Sequence, residues 1–96
     1  MSSANLKVNE STLFRRLRQD ELWAYACVVR VIACHSRDKL TKTQQRILED
    51  LRDLCHIDKQ RHTMELQAAR ADPIVNAIVE HDVHGRRVLF LSLLHI

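Results

Sequence analysis

At 96 residues the chain has room for one small domain with a modest core, and association would add the burial such a core lacks. One glycine, one proline and many Leu, Ala, Arg, Glu, Gln and Lys leave little hairpin chemistry, so a sheet-built fold is excluded and an all-α one is expected. The net charge of +3 is uneven, with 9 Lys+Arg against 4 Asp+Glu in residues 1–48 and 6 against 8 in residues 49–96, but it forms no basic tract and only 4% of residues are aromatic, which argues against base stacking.

Residues 1–8 are polar and small and are expected to be disordered. Asn9 or Ser11 can cap a first helix, predicted from about Ser11 to His35, either straight or bent near Gln19–Asp20. Two apolar stripes run along it at helical spacing: Leu13, Leu17, Ala24, Val28 and Val31, then Leu22, Tyr25, Val29 and Ile32. From Leu22 to Cys34 only Arg30 breaks the apolar run. A helix apolar all round must be covered from more than one side, and the chain's own core covers one. A second copy is the economical cover for the other, which predicts a homodimer with Leu22, Trp23, Tyr25, Val29 and Ile32 at its interface. The run is too short to span a bilayer, which needs ~20 apolar residues.

Thr41 to Gln44 matches a capping box, and Ile47, Leu48, Leu51, Leu54 and Cys55 follow as a second helix. Asp58 can cap a third, with His62, Leu66 and Ala69 facing inward. Asp72-Pro73 is a strong start signal for a short fourth helix with Ile74, Ala77 and Ile78 inward. The expected architecture is a compact all-α bundle of four to five helices over residues 9–84. Its core is expected to contain Ala24, Val28, Val31, Ile47, Leu51, Leu54, Leu66 and Ile78. The apolar tail, 85–96, is read either as a last helix closing the bundle or as an extended docking segment.

Three cysteines, two of them on the apolar helix, suggest reduced, buried thiols in an intracellular protein. No signal core opens the chain and no lipidation signal ends it, so secretion and lipid anchoring are not expected. Cys34-His35, Cys55-His56 and His62 raise a zinc reading, but their spacing does not match the paired ligands of structural sites. No strained nucleophile turn, phosphate loop or paired-carboxylate motif is present, so neither catalysis nor a metal or other cofactor is expected. Arg16, Arg30 and Arg37 share a helix face with Trp23, where a cation–π contact competes with plain solvation.

In order and spacing, Glu21-Leu22-Trp23-Ala24-Tyr25-Ala26, Leu40-Thr41-Lys42, the Leu48–Leu54 helix and Asp58-Lys59-Gln60-Arg61-His62 resemble the EMSY N-terminal (ENT) domain. The resemblance spans about Leu13 to Ile78. Trp23 departs from it, standing where a polar residue is the family habit. The resemblance implies a five-helix, homodimerising bundle in a nuclear protein of chromatin and transcriptional repression, with a link to DNA repair. It also implies, as partners, heterochromatin protein 1 and the breast-cancer type 2 susceptibility protein. Gly85-Arg86-Arg87-Val88-Leu89 resembles the segment that follows the domain, which makes Arg86, Arg87, Val88, Leu89 and Leu91 the candidate docking residues. Phe90 and Ser92 replace prolines of that segment. The function expected is thus a non-catalytic dimerisation and protein-docking module. The alternative is a small helical nucleic-acid-binding domain, which would need a denser basic face.

Overall fold

The computed structural model describes residues 8–36, 39–82 and 91. Four helices follow in chain order: α1 (Glu10–His35), α2 (Lys42–Cys55), α3 (Lys59–Ala71) and α4 (Pro73–Asp82). No strand occurs among the described residues. The helix boundaries follow side-chain chemistry. Asn9 accepts from Thr12 N–H at 2.8 Å, and Asp58 accepts from Arg61 N–H at 2.7 Å. Thr41 and Gln44 exchange both bonds of a capping box, and Asp72 accepts from Ile74 N–H just as Pro73 opens α4. Each cap satisfies backbone donors that the first helical turn leaves free. The bend allowed near Gln19–Asp20 does not interrupt α1, which is one helix of 26 residues.

At 1.5 Å per residue α1 is about 39 Å long, roughly twice the length of any helix packed on it. It forms the spine: α2, α3 and α4 all pack against it, and α3 also packs on α4. The core is Tyr25, Val29, Ile32 and Ala33 from α1, Leu48 and Cys55 from α2, Ile57 from the turn, Ala69 from α3 and Val75 from α4. Leu22, Val28, Cys34, Leu40, Leu51, Leu66 and Val79 pack around it, partly buried.

The two stripes of α1 are exchanged relative to expectation. Tyr25, Val29 and Ile32, expected at a dimer interface, lie inside the chain's own core, and Leu22 packs against it. Ala24 and Val31, expected inside, are exposed, as are Ile47, Leu54 and Ile78. On α4 the inward residues are Val75 and Val79, so Ile74, Ala77 and Ile78 face out, one position off the expected register. The physical reason lies in Tyr25. A buried hydroxyl needs a partner, and His62 on α3 supplies one within the same chain. Once Tyr25 is turned inward, helical geometry carries Val29 and Ile32 with it and sends Val31 outward.

The α1–α2 junction is fixed by Arg18, whose guanidinium donates to Cys55 O at 2.7 Å, His56 O at 3.1 Å and Glu21 Oε1 at 3.1 Å. A cation on the last carbonyls of α2 satisfies orphan acceptors and opposes the negative end of that helix's dipole. Beside it His56 takes a left-handed conformation, φ 54°, and Ile57 N–H returns to Arg52 O at 2.9 Å, closing a Schellman turn over buried Ile57.

Candidate association face

Opposite the core, α1 presents Leu13, Leu17, Ala24 and Val31 on one line, since positions separated by four and seven recur on the same side of a helix. Leu17 is 52% and Val31 56% exposed. The line continues into a shallow apolar groove of about 490 Å³ between α1 and α4, lined by Cys27, Arg30, Val31, Cys34, Asp72, Ile74, Val75 and Ile78. Beside the line Trp23 is 65% exposed, and the Arg30 guanidinium carbon stands 5.3 Å from the centre of its ring. Arg30 also donates to Cys27 Sγ at 3.4 Å. The cation–π pairing weighed from the sequence is therefore made by Arg30; Arg16 instead pairs with Asp20 at 3.4 Å, and Arg37 lies outside the described residues.

Of the five residues expected at a dimer interface, the structure leaves Trp23 to solvent and half-buries Leu22. Tyr25 and Val29 have no exposed surface at all, so no partner can reach them without opening the fold. The apolar residues that the structure leaves exposed on this side are Leu13, Leu17, Val31, Ile74 and Ile78. The first three formed the other stripe in the sequence, where spacing alone does not say which stripe the chain's own core takes. The tail residues Arg86, Arg87, Val88 and Leu89 lie outside the described residues, as do both readings of segment 85–96; Leu91 alone is described, helical and exposed.

The polar contact that fixes the helix facing is Tyr25 Oη to His62 Nδ1, 2.5 Å, with the rings edge to face at 6.1 Å. Burial pushes the Tyr25 hydroxyl up to about 12; the nearby Arg52 charge opposes the rise, while Glu65 and Cys55 add to it. Burial also lowers the pKa of His62, and Arg52 lowers it further. The Tyr25 hydroxyl therefore keeps its proton and can donate to the neutral imidazole.

The cysteines and histidines do not converge: among the described residues no group of three His, Cys, Asp or Glu side chains could hold a metal ion. Cys27, Cys34 and Cys55 form no disulfide, and Cys55 is buried. No helix among the described residues is long and apolar enough to cross a membrane. Arg16, Arg18 and Arg61 are each paired with a carboxylate on their own helix, which leaves less free cation on those faces than the sequence count suggests.

Among the described residues the chain is all-helical, and α1 carries apolar residues that the core buries beside apolar residues left exposed. The ENT domain family model matches residues 12–87, and the chain belongs to that family. A crystal structure of an ENT domain from T. brucei superposes with a TM-score of 0.80 at 38% identity, covering 86% of this chain and 99% of that one. No curated protein matches the chain.

Proposed function

We propose that the chain is a non-catalytic homodimerisation and protein-docking module of a nuclear chromatin or transcription regulator. The observation that carries the reading is the outer face of α1: Leu13, Leu17, Trp23 and Val31 are exposed along one helix, which buries Tyr25, Val29, Ile32 and Ala33 in the core. Contiguous apolar surface of this kind marks an interaction site. A two-fold axis would set the same stripe on both copies and hide it on both. Arg15, Arg16 and Arg18 crowd the first half of α1, so a parallel pair would bring two basic triplets together, and an antiparallel pair separates them.

Sedimentation equilibrium of the wild type and of Val31→Glu tests the dimer. The wild type should fit a dimer at micromolar concentration, and the variant, which would bury an unpaired charge in that interface, a folded monomer. A wild-type monomer at those concentrations would remove the reading. For the docking role, the apolar run after Arg86-Arg87 supports a chromatin protein such as heterochromatin protein 1 as partner, with Val88, Leu89 and Leu91 filling its pockets and the arginines at the rim. The breast-cancer type 2 susceptibility protein is the second partner suggested by the family resemblance. Pull-down of purified heterochromatin protein 1 by the wild type, and its loss in a Val88→Ala/Leu91→Ala double variant of unchanged melting temperature, is the expected result. No capture by the wild type would end that assignment.

A further inference from the structure

A second cavity, of about 250 Å³, is lined by Leu40, Gln45, Leu48, Glu49, Arg52 and His62. No residue of α1 lines it, so it is separate from the association face. Arg52 is half-buried, and its Nε is shut off from solvent with no hydrogen-bond partner. The ion pairs among the described residues join Arg16, Arg18 and Arg61 to acids, and none reaches Arg52. A charged donor held in this way is costly unless something accepts from it. Its field reaches the neighbouring side chains, acting on both Tyr25 and His62.

The hydrogen bond beneath the cavity sets the second donor. In the tautomer in which Tyr25 Oη–H donates to His62 Nδ1, the neutral imidazole carries its own proton on Nε2. Gln45 is already engaged, donating to Leu40 O at 3.3 Å. Arg52, whose Nε–H has no acceptor, and His62 through Nε2–H therefore offer donors in the lining, with Leu40 and Leu48 as apolar wall. Among the described residues Glu49 is the one acid in the lining, and it weighs against a doubly charged guest. The volume falls below the ~300–1,000 Å³ of pockets that hold drug-sized ligands, which limits the guest to a few heavy atoms.

We infer that this cavity binds a single carboxylate, its oxygens on the Arg52 guanidinium and His62 Nε2–H and its short carbon stem against Leu40 and Leu48. The planar guanidinium fork matches a carboxylate in geometry as well as charge. The group is carried either by a free short-chain acid or by a glutamate side chain of a docked peptide.

Imidazole NMR of the full chain, following His62, tests the site with sodium acetate, with sodium chloride at matched ionic strength as reference. Acetate should shift His62 saturably and raise its pKa, because a bound anion favours the imidazolium; chloride should do neither. Arg52→Gln should weaken acetate binding by roughly tenfold or more, the value of a charge-assisted hydrogen bond. Equal responses to acetate and chloride in the wild type would overturn the inference, with no need for the variant. An unchanged acetate response in folded Arg52→Gln would overturn it too. N-acetyl-glutamate amide in place of acetate separates the sources: tighter binding assigns the site to a peptide glutamate, and binding no tighter than acetate to a free acid.

Discussion

From Leu22 onward α1 is wrapped by α2, α3 and α4, whereas every residue from Glu10 to Asp20 is exposed. Both halves are apolar at helical spacing. What separates them is reach: the three shorter helices pack against one end of a spine about 39 Å long and leave the other end bare apart from the Arg18 clamp. The same kind of residue therefore has two roles. Apolar residues turned to the core in the covered half stabilise the single chain; Leu13 and Leu17 in the bare half, and Val31 on the outer side of the covered half, are free to stabilise an assembly.

The largest effect should come from the covered half. Leu48, 2% exposed, fills the space between α2 and α1, and Leu48→Ala should cost about 2–5 kcal/mol in urea unfolding through the cavity it leaves. Leu13→Ala, on the bare half, should change the unfolding free energy of the monomer by less than about 0.5 kcal/mol, the usual range for a surface site. Comparable costs at the two positions would break the contrast. Next comes the polar bond that turns α1. Tyr25→Phe keeps the ring and removes the donor to His62, which should cost about 1 kcal/mol without altering the helix content seen by circular dichroism.

The same pair makes stability depend on pH. His62 has a pKa below its usual 6.5 in the folded chain, so on acidification the unfolded chain takes up a proton that the folded one resists. This contribution is full above pH 6.5, shrinks as the pH falls below it, and is lost once the pH passes below the folded value. Denaturation midpoints should fall between pH of about 7.5 and about 5.5 in the wild type, and fall less in His62→Gln. The smallest effect is at the turn after α2. His56 holds a left-handed backbone that a side chain disfavours, so His56→Gly should raise stability by roughly 0.5 kcal/mol. Thermal melting checks it; a loss would mean that the imidazole contributes to the turn.

Sequence chemistry located the helix starts because caps are local: Asn9, Thr41, Asp58 and Asp72-Pro73 each act within three or four residues of themselves. The all-α class and the family resemblance were legible for the same reason, since composition and short motifs suffice for them. The facing of α1 was not. Two stripes of equal spacing compete, and the choice between them depends on Tyr25 meeting His62, a contact across 37 positions of sequence. The one-position error on α4 has a similar origin: Ile74, Val75, Ile78 and Val79 are all apolar, and packing against α1 and α3 selects Val75 and Val79. The Arg52 cavity left no sequence signature, because its lining comes from α2, α3 and the residue before Thr41.

The claim that the bare face of α1 is an interface between two copies is tested most directly by light scattering of the purified chain over a range of micromolar concentrations, alongside Leu17→Glu. The wild type should scatter at about twice the chain mass of 11.2 kDa, and folded Leu17→Glu at the chain mass itself. A wild type that scatters at 11.2 kDa throughout, or a Leu17→Glu variant that keeps the doubled mass, would contradict the account.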